Sequence, residues 1–168
     1  MSRADLLLKY VKHYQSQGLI PIPLYWVLNG VCACRSAGEC QSPGKHPITK
    51  RSAVVSATET QWYSWIKKNP EMNLGILTGS EAGIFVLDVD PRHGGNESFE
   101  SLIKVIGPLP HTLVAKTGGG GRHYLFKVPQ GSEVKNSAAM LGEGLDIRGE
   151  GGYIVVEPSV TKGEYKWL

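Results

Sequence analysis

Between residues 2 and 17 the apolar side chains Leu6, Leu7, Tyr10, Val11 and Tyr14 return every three or four positions, the interval that lines one face of an α-helix. Ser2 followed by Asp5 matches a capping box at the start of this helix, and Gly18 marks its end. Residues 19–28 are aliphatic and aromatic and read as an extended strand, with Pro21 and Pro23 favouring an edge position or an irregular start. A loop over 29–47 follows. Thr58 or Thr60 caps a second helix carrying Trp62, Trp65 and Ile66, closed by Asn69-Pro70. Residues 74–78 and 83–89 read as two short strands joined as a hairpin around 79–82, and residues 96–106 as a helix. Two further strand pairs are expected, 112–116 with 123–128 around a four-glycine run, and 145–148 with 153–156 around 149–152. Strands outnumber helices and hairpin spacing dominates. The expected fold is α+β, with a mixed or largely antiparallel sheet and flanking helices. Glycine-rich turns between strands suggest backbone that approaches a ligand closely.

Composition narrows the class without naming a function. A chain of 168 residues, 41% hydrophobic and 20% charged, suits one globular domain spanning 1–168. It contains neither an apolar run of about 18 residues nor an apolar block with a cleavage site at its start, so no membrane span or signal peptide is read and a cytoplasmic protein is expected. All three cysteines lie between Cys32 and Cys40, which points to metal binding or free thiols rather than a disulfide framework. A net charge of +3 is compatible with nucleic acid but does not require it. Placement says more: Lys45, Lys50, Arg51, Lys116, Arg122 and Arg148 fall in or beside turn-like segments, whereas Asp88, Asp90 and Asp146 sit in apolar, strand-like runs. Residues 165–168 look like the start of an apolar element cut short, so the chain is expected to be the N-terminal part of a longer protein.

Three segments carry candidate chemistry. In Ile84-Phe85-Val86-Leu87-Asp88-Val89-Asp90, strand alternation puts both acids on one face, an arrangement that is costly unless a cation neutralises it. Carboxylate oxygens suit Mg²⁺ or Mn²⁺. The plain alternative is a strand exit, where Asp is common. In the second segment, Lys116-Thr117 leads into Gly118 to Gly121 and then Arg122-His123-Tyr124-Leu125-Phe126, where glycine amides can turn towards a phosphate or simply form a hairpin turn. If Tyr124 and Phe126 face inward, Arg122 joins them and His123 faces the other way; if Leu125 faces inward, the roles reverse. The third segment places Asp146 in an apolar run with Arg148 on the same face, either as a self-sufficient pair or as a third carboxylate with a phosphate-binding partner. Separately, Cys32, Cys34, Cys40 and His46 could close a tetrahedral Zn²⁺ site, although C-x-C spacing is tighter than usual; otherwise they are reduced thiols beside a histidine.

Taken in order, Val86-Leu87-Asp88-Val89-Asp90-Pro91-Arg92-His93-Gly94-Gly95, the stretch 118–126 and the stretch 145–159 resemble the bifunctional DNA primase/polymerase N-terminal domain family of the archaeo-eukaryotic primase superfamily. Residues 73–79, and Tyr165 with Trp167, resemble it too, as does Gly44-Lys45-His46-Pro47, which follows a similar cysteine-bearing insertion in some members. The resemblance implies a primase-like (RRM-like) catalytic core. It also implies template-directed nucleotidyl transfer by a two-metal mechanism, as a DNA primase, a DNA polymerase or both, in replicating a bacterial, archaeal, phage or plasmid element. Asp88, Asp90 and Asp146 would hold Mg²⁺ or Mn²⁺ and His123 would contact the phosphates of a dNTP or NTP. Arg122, Lys116, Thr117, Gly119, Arg148 and Lys45 would complete the nucleotide-binding set. Single-stranded template, primer and a helicase, fused or separate, are the implied partners. The family often carries a small hydroxyl residue two places before the histidine; here Gly121 stands there, so Thr117 or backbone amides are expected to substitute. Two rivals are a non-catalytic nucleic-acid-binding module of a replication initiator, which needs no full set of acids, and a D-x-D sugar-nucleotide transferase, which leaves the glycine-histidine strand and Asp146 unexplained.

Overall fold

The capping box expected at Ser2 forms. The Ser2 hydroxyl accepts from the Asp5 N–H at 3.1 Å, the Asp5 carboxylate accepts from the Ser2 N–H at 3.0 Å, and helix α1 runs Arg3–Ser16. The computed structural model describes residues 1–168, and the chain divides into two units: Met1–Leu77 with Val155–Glu164, and Thr78–Ile154 with Tyr165–Leu168.

In the first unit, α1 buries Leu7, Val11 and Tyr14, one stripe of its surface. Helix α3 (Glu59–Lys68), capped by the Thr58 hydroxyl, buries Trp62 and Ile66. Strand β1 (Pro21–Leu24) pairs antiparallel with β4 (Asn73–Leu77), which sits centrally in a sheet ordered β1, β4, β10 (Tyr153–Val156). Both prolines therefore lie on an edge strand, as their missing N–H groups require. The expected strand over 19–28 breaks after Leu24. Its second part, β2 (Val27–Leu28), turns through Asn29 (φ 50°) and Gly30 (φ 78°) into β3 (Val31–Cys32). Two successive residues in the left-handed region make the tight turn that matches strand twist, so residues 29–47 do not form a plain loop. Helix α2 (Arg51–Val55) was not expected from the pattern.

In the second unit a six-stranded sheet has the order β11 (Lys166–Trp167), β6 (Val114–Lys116), β7 (Arg122–Lys127), β5 (Ile84–Val89), β9 (Leu145–Arg148), β8 (Ser137–Ala138). All five strand pairings in it are antiparallel. One face carries Leu87, Val89 and Leu145, packed with Tyr124, Phe126 and Ile147 and with Phe99 and Leu102 of helix α4 (Gly95–Ile106). Each fully buried leucine of this kind contributes about 1.5–3 kcal/mol. The glycine-run hairpin between β6 and β7 forms as expected.

Two expected hairpins do not form. Strands β4 and β5 lie in different sheets, joined by a bridge between Gly79 and Ile84. Each is a central strand that takes two other neighbours, and an apolar run does not specify its partners. Strands β9 and β10 also lie in different sheets. The turn between them is engaged elsewhere: Glu150 N–H donates to Val134 O at 2.8 Å and Gly149 N–H to Asn136 Oδ1 at 2.8 Å. The fold is α+β, with antiparallel sheets and few helices.

Candidate active site

Strand β5 brings Asp88 to the middle of the six-stranded sheet, and the register decides its neighbours. Asp88 stands opposite His123 of β7 on one side and opposite Asp146 of β9 on the other. Residues directly opposite in an antiparallel sheet project to the same face. His123, Asp88 and Asp146 therefore form one row across three strands. Tyr124 and Phe126 lie half-buried on the α4 side, but the opposite face of β7 carries its buried residues, His123 and Leu125, while Arg122 is exposed, so the second of the two facings considered for β7 holds. Here the sheet itself, which apposes two acids in adjacent strands, makes the electrostatic demand.

Cations meet it. Arg148 Nη2 lies 2.9 Å from Asp146 Oδ2 and 3.5 Å from Asp88 Oδ2, bridging the two carboxylates. His123 Nε2 lies 3.5 Å from Asp88 Oδ1, and its side chain is 7% exposed against 21% for Asp88. The second oxygen of Asp146 accepts from the Ala139 N–H at 3.1 Å. Like charges apposed on neighbouring strands are unfavourable without such compensation. The row is thus built to hold positive charge, and its carboxylate oxygens suit a hard divalent cation.

Asp90 follows the same alternation but is differently occupied. It lies just past the end of β5, and its Oδ1 accepts from the Arg92 N–H at 3.0 Å and from Arg92 Nε at 2.9 Å. Arg92 Nη2 donates to Oδ2 at 2.6 Å, and His93 Nδ1 lies 3.1 Å from the same oxygen. Hydrogen bonds from Arg92 outweigh partial burial and hold the Asp90 carboxyl far below the usual carboxylate range. Arg92 is a site residue that the sequence reading did not single out; the signal was the Asp-Pro-Arg spacing, which lets a guanidinium fold back on the acid two residues earlier.

The glycine run packs against this corner. Thr117 N–H donates to Gly121 O at 2.9 Å, and Gly121 N–H donates to the Thr117 hydroxyl at 3.0 Å, closing the loop on itself. A Cβ at Gly121 would collide with the Val89 carbonyl oxygen, so no hydroxyl-bearing residue fits there. A Cβ at Gly119 would lie 3.0 Å from Arg92 Cζ, so the guanidinium rests on bare backbone. Lys116 and Arg122 stand opposite each other and in the row of Val89, on the face away from His123 and the acids. Alternation thus separates them from His123, Asp88, Asp146 and Arg148.

In the first unit, the ligand atoms of Cys32, Cys34, Cys40 and His46 all lie within 4.8 Å of one another. His46 Nε2 is 3.4 Å from Cys32 Sγ and 3.5 Å from Cys40 Sγ. A tetrahedral zinc with ordinary bond lengths sets sulfur and nitrogen roughly 3.5 Å apart. The donor set and its spacing fit, and the cluster could hold zinc. Buried Asn73 anchors the loop, donating from Nδ2 to Gly44 O and to Val160 O, each at 2.9 Å. Lys45 lies within this loop, in the first unit.

An α+β domain with antiparallel sheets, carrying acids, an imidazole and a guanidinium on one sheet face, has the architecture of a primase-like domain. The family model for the bifunctional DNA primase/polymerase N-terminal domain matches residues 10–168, and the chain belongs to that family. Membership points to primase or polymerase activity in replication, with DNA and nucleotides as substrates. A search of curated proteins returned no match. No helix is long and apolar enough to cross a membrane.

Proposed function

We propose that the chain catalyses template-directed nucleotidyl transfer, joining a dNTP or NTP to a primer or to an initiating nucleotide on single-stranded DNA. The row His123–Asp88–Asp146 carries this reading, because two carboxylates apposed beside an imidazole form an oxygen-rich seat for divalent cations in a family of primases and polymerases. Asp88 and Asp146, with Asp90, hold Mg²⁺ or Mn²⁺. When bound, the ions lower the pKa of the attacking hydroxyl and neutralise charge on the triphosphate and the leaving pyrophosphate. Arg148 balances the two acids, and its guanidinium is chemically suited to a phosphate oxygen once metal takes over that role. His123, held in a largely buried position beside Asp88, presents its imidazole to the incoming nucleotide's phosphates. Thr117 closes the glycine loop, leaving backbone amides for phosphate contact. Cys32, Cys34, Cys40 and His46 hold a structural Zn²⁺.

Primer extension with purified protein and Mn²⁺ or Mg²⁺ tests the catalytic reading. Asp88→Asn and Asp146→Asn should each lower nucleotide addition by roughly 100-fold or more, because a metal ligand matters at least as much as the outer groups that orient it. Both variants should keep the native circular dichroism spectrum. Activity within a few-fold of wild type in either folded variant would refute the assignment.

A further inference from the structure

We infer that Arg92 is an exchangeable counter-ion: its guanidinium holds Asp90 while metal is absent, gives Asp90 up when a divalent cation binds, and then takes the triphosphate of the incoming nucleotide. The exchange rests on the metal-binding reading of Asp88, Asp90 and Asp146 given above, and goes beyond it by assigning Arg92 both sides of the trade.

Three observations carry it. First, the Asp90 carboxylate is saturated from within its own turn. It accepts from the Arg92 N–H, Nε and Nη2, and His93 Nδ1 lies against Oδ2, so both oxygens are occupied. A cation can use this carboxylate only by displacing the guanidinium. Second, the guanidinium has a way out. The Arg92 side chain is 43% exposed, so water can take over its hydrogen bonds as it leaves. The backbone N–H of Arg92 still caps Asp90 after the side chain leaves, so the turn Pro91–His93 keeps its lead contact. Third, the guanidinium already lies on the glycine run, 3.0 Å from where a Gly119 Cβ would be. The Gly120 and Gly121 N–H groups donate to Thr117, which leaves the Gly119 amide beside the guanidinium, and that planar group matches two phosphate oxygens as well as it matches a carboxylate. A doubly charged ion at the acids and a released guanidinium beside that amide both favour the same tetra-anionic ligand.

The proposal makes one substitution act in opposite directions. Arg92→Gln removes the competing charge from Asp90, so Mn²⁺ binding without nucleotide, followed by the electron paramagnetic resonance signal of free Mn²⁺, should tighten about tenfold. The same variant should bind dNTP with Mn²⁺ about tenfold more weakly, measured by titration calorimetry on non-extendable template. Arg92→Lys, which keeps the charge but loses the two-pronged geometry, should return Mn²⁺ affinity towards wild type while leaving dNTP binding weak. A merely structural role would weaken both affinities together and lower the melting temperature. Unchanged Mn²⁺ affinity in Arg92→Gln overturns the exchange, as does unchanged dNTP affinity. Wild-type protein that binds no Mn²⁺ sinks the metal reading itself, and the exchange with it.

Discussion

Single side chains set the limits of this site. Gly121 stands where the family resemblance leads to the expectation of a hydroxyl, and the Val89 carbonyl leaves no room for a Cβ there. Gly121→Ser should therefore cost about 1–3 kcal/mol in chemical denaturation, the usual penalty for overpacking; unchanged stability would mean that the carbonyl does not enforce glycine. Strand alternation already placed Asp88 and Asp90 on one face, and that much could be read from spacing. That Asp146 stands directly across from Asp88 could not, because register depends on pairings between segments 58 residues apart, the separation seen in the Asp88↔Asp146 pair. Nor could spacing choose the face for His123, since adjacent Arg122 and His123 necessarily point opposite ways. The α4-facing cluster of Tyr124 and Phe126 makes that choice. It also parts Lys116 and Arg122 from His123 and Arg148, with which they were expected to form one nucleotide-binding set.

At the level of elements, amphipathic helices with explicit caps were the most legible. Helix α1 starts at the capping residue named from sequence, Ser2, and α3 at Thr58, the first of the two threonines named. Strand positions were legible too, but strand partners were not: β4, β5, β9 and β10 all exist, and neither expected hairpin among them forms. The β2–β3 hairpin could have been read from Asn29-Gly30, a dipeptide that favours its turn, but the surrounding strands are only two residues each and give no alternation to notice. Strands that short need support, and the cysteine cluster supplies it, since Cys32 is the last residue of β3. Protein purified without added zinc should contain close to one zinc per chain by elemental analysis. Cys40→Ser should lose that metal and melt roughly 5–10 °C lower. Protein purified metal-free, yet as stable as Cys40→Ser, would rule out the zinc site.

Over the whole molecule, the pattern of elements gave the α+β class but not the division of the chain. Within the chain, two compact units form, with residues 155–164 returning to the first. A return of that kind is set by long-range sheet pairing and leaves no local mark in the sequence. The family match spans both units. The proposed function depends at every level on the apposed acids serving as a cation seat. Its most direct test is Mn²⁺ binding in the presence of dNTP, followed by electron paramagnetic resonance in wild type, Asp88→Asn and Asp146→Asn. Wild type should bind Mn²⁺, and each variant should lose affinity about tenfold or more, since either change removes half of the facing pair. Mn²⁺ affinity in both variants equal to wild type would contradict the account.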